Sequence, residues 1–218
     1  MDGTLIQAWA SIKSFKPKGS GKEPGAGNLW TNFKGEKRSN NNHESTTDPE
    51  AKLIRKGFGQ ETRLCSAGRA TMEHRNGLCV MFEVRNAVGE PESELAVDQA
   101  VELKNRGFRP KSIGADKGYH TAGFVEGVRE HGIAPHAALC DNRNQMGIRR
   151  SPAYTVNQRI RKRIAEIFGW VKTTGGCRKS RYRGVEHNHA AGQYIVAALK
   201  LLRMANLQVT DPPKWARA

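Results

Sequence analysis

The stretch Thr62–Asn86, TRLCSAGRATMEHRNGLCVMFEVRN, decides how the rest of the sequence is interpreted. Two runs with strand-like composition, 62–74 and 78–86, flank Arg75-Asn76-Gly77. Asn-Gly between two such runs is a strong signal for a tight turn. The stretch therefore predicts a β-hairpin.

The segments after the hairpin alternate between helix and strand patterns. We predict a helix over 92–106 that ends at Gly107, a strand over 111–115, a helix over 121–131 and a strand over 133–139. This order favours an α/β fold with helices around a mixed sheet. Residues 155–173 predict an amphipathic helix. A last helix, 190–206, is apolar nearly all round, so we expect it to be largely buried.

The segments before the hairpin lack a comparable pattern. Residues 1–15 are interpreted as the remnant of a first strand, because no strand precedes their apolar residues. Residues 16–60 are rich in Gly, Pro, Asn, Ser, Thr and Lys, which predicts a loop or mobile arm. The folded core is expected over 61–207, with a tail over 208–218.

The charge of the chain points to a polyanionic partner. Its 218 residues contain 36 Lys and Arg against 21 Asp and Glu, a formal net charge of +15. Nucleic acid is the first candidate for such a basic protein. The four cysteines have no paired spacing, which argues against a zinc site or a disulfide framework. No apolar run reaches membrane length, so we expect a soluble protein without a membrane partner.

Several motifs together resemble the insertion-sequence transposases of bacteria that have a DDE catalytic core. These motifs are Asp2-Gly3-Thr4 with Ala8-Trp9-Ala10, the run Gly114-Ala115-Asp116-Lys117-Gly118-Tyr119, the helical segment Arg159–Lys172, and the loop Gly35–Asn40 with Ser45–Pro49. They span nearly the whole chain in order, which makes chance agreement improbable. The resemblance implies an RNase H-like α/β fold, in which helices flank a mixed sheet. The first strand of that sheet is expected to be incomplete in this chain.

The resemblance also implies a catalytic site. Asp2, Asp116 and Glu166 would hold two Mg²⁺ or Mn²⁺ ions for DNA cleavage and strand transfer. Hard divalent cations prefer carboxylate oxygens, and two such ions can activate an attacking oxygen and stabilise a leaving one. Asp116 also follows a predicted strand, at the end where α/β sheets usually carry their sites. Taken alone, Asp116 is better explained as a turn-forming residue, and the accompanying motifs reverse that preference. Asp2 is equally well explained as a disordered terminal residue.

The third acid departs from the family pattern. In that pattern an Arg stands four residues before the catalytic Glu and a Lys seven after it, a frame that Arg161 and Lys172 fit with Ala165 at the Glu position. Glu166 lies one residue later, about 100° further round a helix. Its carboxylate is therefore expected to point away from the face of Arg161 and Lys172. This favours a non-catalytic Glu166 and leaves a functional substitute as the alternative.

The region 143–183 is the most basic part of the sequence, with 12 Lys or Arg and the single acid Glu166. Nine of these are the expected DNA contacts: Arg159, Arg161, Lys162, Arg163, Lys172, Arg178, Lys179, Arg181 and Arg183. Three functions follow: a metal-dependent transposase, a catalytically dead remnant that binds DNA, or a basic RNA-binding or ribosome-associated protein. For the first two we expect transposon-end DNA, a homo-oligomer, an upstream transposase half in trans and a place at the bacterial nucleoid in the cytoplasm.

Overall fold

The computed structural model describes residues 1–19, 38–55, 57, 59–88, 92–140 and 147–210. The strands are β1 (Asp2–Gln7), β2 (Phe15–Pro17), β3 (His43–Ser45), β4 (Lys52–Arg55), β5 (Thr62–Met72), β6 (Cys79–Asn86), β7 (Ser112–Ala115) and β8 (Ala134–Ala137). The helices are α1 (Glu92–Asn105), α2 (Ala122–Glu130), α3 (Pro152–Ile160), α4 (Ile164–Lys172) and α5 (Val185–Thr210). Short 3₁₀ turns lie at Ile12–Ser14, Lys117–Tyr119 and Arg161–Arg163.

The larger sheet is antiparallel and is built on the long strand β5. On one edge β5 pairs with β1, with Asp2 opposite Ala70. On the other edge β6 and β4 lie one after the other, with Ser66 opposite Asn86 and Leu53 opposite Leu64. The turn between β5 and β6 uses Gly77 at a φ of 70°, a value that glycine adopts without strain. The predicted hairpin is confirmed.

A second, smaller sheet consists of the parallel pair β7 and β8, with Gly114 opposite His136. The helix α2 connects these two strands, as parallel neighbours require. The two sheets meet where the Met1 amino group donates a hydrogen bond to the Gly114 carbonyl oxygen at 2.9 Å. This contact places the start of β1 beside the end of β7.

Two apolar cores hold the helices against these sheets. One core joins β7 and β8 to α1 and α2 through residues such as Ala100, Phe124 and Val128. The other joins β1, β5 and β6 to α4 and α5 through residues such as Phe82, Ile167 and Val196. The predicted α/β class, strands in mixed orientation flanked by helices, is confirmed.

The interpretation of residues 1–15 as a strand remnant differs from the structure in one respect. Asp2 opens the six-residue strand β1 rather than following a strand. Met1 is only 6% exposed and packs in the core with Ile113 and Ala115. The first residues are thus held by backbone pairing with β5 and by burial, so Asp2 is not a mobile terminal residue.

The described part of the 16–60 segment also differs from the expected loop or arm, because it contains β3, β4 and most of β2. A small apolar cluster that includes Phe15, Ala51 and Leu64 packs there, and hydrogen bonds of polar side chains add to it. Ser45 Oγ accepts from the Asp48 amide at 3.0 Å, and the side chain of Asn40 bonds to both backbone groups of Leu53 at 2.9 and 2.7 Å. Residues 20–37, 56 and 58 lie outside the described residues, as does 211–218 of the expected tail.

The predicted helix over 155–173 is two helices rather than one. The helix α3 ends at Ile160, a 3₁₀ turn covers Arg161–Arg163, and α4 begins at Ile164. The break occurs where the packing partner changes. The side chain of Asn157 in α3 donates to Ser112 Oγ at 2.8 Å, whereas Ile164, Ile167 and Phe168 of α4 pack in the core of the larger sheet.

The last helix is longer and less buried than expected. It runs from Val185 to Thr210, and one side of it packs on β6 and α4 through Val196 and Leu199. The expectation of a largely buried helix is wrong, because Tyr194, Leu201 and Leu202 on other sides of the helix are half or more exposed. Apolar composition all round therefore does not mean burial all round here.

Candidate active site

Asp2 and Asp116 come from different sheets and lie close enough to influence each other. Asp2 is the first residue of β1, and Asp116 follows the last residue of β7. The hydrogen bond from Met1 to Gly114 holds these two strand ends together. Both carboxylates are half-buried, so the site is open to a ligand on one side.

The surroundings of Asp2 shift its pKa in opposite directions. Burial raises the pKa of Asp2, and the carboxylate of Asp116 raises it further. The Gly3 amide, which donates to Asp2 Oδ1 at 2.8 Å, acts in the opposite direction, as do the Met1 amino group and Arg161. An acid in this position gains from a cation that would neutralise both carboxylates.

The local sequence GADKGY fixes the conformation of Asp116. Its Oδ1 accepts a hydrogen bond from the Gly118 amide at 2.8 Å, which caps the 3₁₀ turn Lys117–Tyr119. The turn-forming role and a ligand role are compatible, because a carboxylate has a second oxygen that remains available. Tyr119 at the end of the turn is buried and contacts Phe124 edge-on, with ring centroids 5.6 Å apart.

Arg161 is the basic residue that belongs to this site. Its positive charge lowers the pKa of Asp2, and its Nε donates to Gln158 Oε1 at 2.7 Å. Gln158 in turn bonds to the carbonyl oxygen of His136 at the end of β8. The helix α3 thus anchors Arg161 over the small sheet, beside the acid pair.

Glu92 is a neighbour of the site that the sequence did not reveal. A Cβ atom added at Gly3 would lie 2.8 Å from Glu92 Oε1, so this carboxylate covers the residue next to Asp2. Burial raises the pKa of Tyr119, and Glu92, Asp2 and Asp116 each raise it further, in that order of size. Glu92 lies in the first turn of α1, where acidic residues are common, so its position in the sequence does not single it out. The only sequence signal of its location is Gly3, which leaves room for the Glu92 carboxylate beside Asp2.

Glu166 is not brought to the acid pair. Its carboxylate oxygens lie 3.6 Å from Arg163 Nε and 3.6 Å from Arg203 Nη1, and its side chain is 56% exposed. Arg203 is itself held at the hairpin turn, where its Nε donates to the Asn76 carbonyl oxygen at 2.6 Å. Glu166 therefore faces α5 and the hairpin turn, consistent with the one-residue shift in the sequence. Ala165, at the position expected for the third acid, is exposed.

The other basic residues lie mainly on the surface. Exposed side chains are those of Arg159, Lys162, Arg178, Lys179, Arg181 and Arg183, and half-buried ones are those of Arg163 and Lys172. The backbone of 178–180 extends the edge of β1, since Gln7 N donates to the Arg178 carbonyl at 3.2 Å and Ser180 N donates to the Gln7 carbonyl at 2.7 Å. Lys179 Nζ lies 5.9 Å from the ring centroid of the exposed Trp9.

The donor chemistry of the acid pair fits a divalent cation only in part. Asp2 and Asp116 offer the carboxylate oxygens that Mg²⁺ and Mn²⁺ prefer. Within the described residues, however, no group of three or more His, Cys, Asp or Glu side chains is close enough to hold a metal ion. The pair supplies two carboxylates, and a two-ion site needs further ones. The described residues also include no helix long and apolar enough to cross a membrane.

Comparison with models of protein families identifies a match. The sequence model of the family described as "Transposase DDE domain" matches residues 68–201, which is more than half of the chain. The matched region begins within β5, includes Asp116 and Glu166, and ends within α5. No curated protein matches the chain.

Proposed function

We propose that this chain, which belongs to the transposase DDE domain family, cleaves DNA and transfers the cut strand with the help of a divalent metal ion. The observation that carries the proposal is the approach of Asp2 to Asp116 from two different sheets. Metal-assisted phosphoryl chemistry needs such a pair of carboxylates, held by rigid elements and open to solvent on one side.

Each residue of the site has a distinct part in this proposal. Asp2 and Asp116 would hold Mg²⁺ or Mn²⁺, which when bound activates an attacking oxygen and stabilises the leaving one. Arg161 would orient the scissile phosphate, because a guanidinium can donate to two phosphate oxygens at once. Glu92 is the described carboxylate best situated to complete the donor set, since its side chain is exposed and covers Gly3.

DNA is the proposed partner, bound along the basic residues named above. Asp2 and Gln7 stand at opposite ends of β1, about 17 Å apart, and the basic segment 178–183 follows the Gln7 end. One strand of duplex DNA places about five phosphates along that distance. We therefore propose that the segment holds the backbone of the duplex whose scissile phosphate lies at the acid pair. Such contacts position DNA without reading its sequence.

A second candidate function is DNA binding without catalysis. Two observations favour it: Ala165 stands at the position of the third acid, and Glu166 is engaged with Arg163 and Arg203. In that case the basic surface binds transposon ends while cleavage is absent or depends on a partner. We include in this proposal a homo-oligomer on DNA, an upstream transposase half in trans, and a place at the bacterial nucleoid.

A nicking assay separates the two candidates. Supercoiled plasmid carrying element ends is incubated with Mg²⁺ or Mn²⁺ and either the unchanged chain, Ala165→Glu, Glu166→Ala or Glu92→Gln. Nicking by the unchanged chain that survives Glu166→Ala supports the enzyme with a different third acid. Nicking that appears only in Ala165→Glu supports the catalytically dead chain.

Loss of nicking in Glu166→Ala would contradict the geometry described for that residue. Loss in Glu92→Gln, with DNA affinity unchanged, would assign the third acid. Salt-dependent binding to DNA and RNA duplexes of equal length tests the remaining alternative, an RNA-binding protein, because only the ratio of the two affinities discriminates between them.

A further inference from the structure

Arg69, in the middle of β5, is a buried cation that the proposed catalytic site does not use. The residue is only 4% exposed, and its Nε and Nη1 atoms have no hydrogen-bond partner among the described residues. Unpaired donors on a buried charged group are unfavourable, and proteins satisfy the great majority of them. A guanidinium kept in this state therefore calls for a role other than packing.

An acid lies on either side of Arg69. In the larger sheet, Arg69 is opposite Gly3 of β1 and opposite Glu83 of β6. Residues directly opposite each other in antiparallel strands carry their side chains on the same face. On that face Glu92 covers Gly3, because a Cβ atom at Gly3 would lie 2.8 Å from Glu92 Oε1. The guanidinium therefore has one acid toward β6, Glu83, and another toward β1, Glu92.

The two acids differ in how they are engaged. Glu83 Oε2 lies 3.3 Å from Arg85 Nε and accepts a hydrogen bond from Gln99 Nε2 at 3.2 Å. Burial lowers the pKa of Arg69, and Glu92 is the neighbouring charge that raises it most, ahead of Glu83. The charge of Arg69 is thus balanced mainly by Glu92, although Glu83 is its direct neighbour across the strands.

We propose that Arg69 is a positioning residue that holds the Glu92 carboxylate over Gly3, beside Asp2. Glu92 is an exposed residue on the first turn of α1, and an exposed Glu samples several rotamers when nothing fixes it. The described residues include no direct ion pair between Arg69 and Glu92. Arg69 therefore acts through its charge, across the space that Gly3 leaves free of a side chain.

Tyr119 connects this pair to the acids of the proposed site. It is 2% exposed, and burial raises the pKa of its hydroxyl. The carboxylates of Glu92, Asp2 and Asp116 raise this pKa further, whereas Arg69 lowers it. All four charges act on one buried ring, so Arg69 belongs to the same electrostatic cluster as the acids that would bind the metal.

The purpose of this positioning rests on the proposed function, in which Glu92 completes the donor set. The charge coupling itself requires no DNA and no metal, so urea unfolding of the full chain measures it. We expect Glu92→Gln to lower the urea midpoint by about 0.5 M in the unchanged chain, because it leaves a buried cation uncompensated. In the Arg69→Met background the same change should have little effect, and in Arg69→Lys the loss should return.

The matched control is Glu94→Gln, which removes another exposed acid from the first turn of α1. It loses the same interaction with the helix dipole, so its effect should be equal in the unchanged chain and in Arg69→Met. Arg69→Gln is a second uncharged variant, and circular dichroism shows whether each variant is folded. Equal effects of Glu92→Gln in the charged and uncharged backgrounds would overturn the proposal.

Binding of Mn²⁺, followed by the electron paramagnetic resonance signal of the free ion, tests whether the coupling positions Glu92. Removing a nearby cation should by itself strengthen Mn²⁺ binding, since like charges repel. If Arg69 positions Glu92, Arg69→Met should instead raise the dissociation constant at least about threefold, and Arg69→Lys should restore it. Unchanged or tighter binding in Arg69→Met would contradict the positioning role. A chain that binds no Mn²⁺ would refute the proposed metal site, and the urea series alone would then decide whether Arg69 holds Glu92.

Discussion

The proposed acidic residues lie on two kinds of element, which hold their side chains in different ways. Asp2 and Asp116 lie at strand ends, and backbone hydrogen bonds of the sheets and the bond from Met1 to Gly114 fix their positions. Glu166 lies on α4, where a step of one residue turns a side chain by about 100°. In the proposed site, therefore, the two strand residues lie where the expected pattern needs them and the helix residue does not, because a shift of one residue on a helix changes the direction of the side chain.

The largest expected effect tests the strand-held acids. Changing Asp116→Asn should lower the nicking rate at least about a hundredfold, equivalent to about 3 kcal/mol of barrier. The amide oxygen can still accept from Gly118, so the turn should remain intact. The matched change Glu166→Gln should leave the rate within about threefold. Equal losses in both variants, measured as initial rates with Mn²⁺, would remove the distinction between the two regions.

A smaller effect is expected from the basic segment beside Gln7. The double change Arg178→Ala and Lys179→Ala should flatten the plot of log affinity against log salt by about 1 to 2 units of slope, since each phosphate contact contributes about 0.9. The control is Arg106→Ala, an exposed cation that is ion-paired with Glu102. Fluorescence anisotropy with a duplex gives both slopes. An unchanged slope in the double variant would mean that the DNA binds to another surface of the protein.

The raised pKa of Asp2 predicts a dependence of stability on pH. The folded state keeps the proton of Asp2 to a higher pH than the unfolded chain does, so the unfolding free energy falls as pH rises through the folded pKa. The variant Asp2→Asn should lack this fall, and urea unfolding across the acidic range compares the two. Added Mn²⁺ should offset the loss in the unchanged chain only. If the unfolding free energies of the two proteins changed with pH in parallel, the pKa of Asp2 would not be the source of the pH dependence.

The smallest effect concerns the ion pairs of Glu166. Both distances are 3.6 Å and the side chain is largely exposed, so Glu166→Gln should cost less than about 1 kcal/mol of stability. The difference should vanish at high salt, where exposed charges are screened. Thermal unfolding at low and high salt measures it. A cost of several kcal/mol would show that Glu166 links α4 to α5 far more strongly than its geometry indicates.

Part of the fold and of the candidate site could be predicted from the sequence, for reasons that differ between the elements. The hairpin was predictable because Asn76-Gly77 encodes a turn locally, and the helix that ends before Gly107 was predictable for the same reason. The α/β class followed from the order of these elements, and the RNase H-like fold was implied by the resemblance to the transposase family. The position of Asp116 directly after a strand was predicted from the sequence, and its role in the site stays a prediction.

The parts that could not be predicted depend on contacts between distant residues. The strands β2 and β3 pair with each other and β4 pairs with β5, and the side-chain hydrogen bonds of Ser45 and Asn40 beside them leave no periodic trace in the sequence. The break at Arg161–Arg163 depends on α3 and α4 packing on different cores. Glu92 reaches the site only because α1 returns over Gly3, a consequence of tertiary packing that has no local motif.

The Met1–Gly114 hydrogen bond has a consequence for the distance between the two acids. Asp2 belongs to the antiparallel sheet and Asp116 directly follows a strand of the parallel pair, so the spacing between the two carboxylates depends on the contact between the two sheets. Arg161 stands at this contact, in the 3₁₀ turn between a helix that packs on one sheet and a helix that packs on the other. A substitution that weakens this contact would therefore change the spacing of the two acids while both sheets keep their own hydrogen bonds.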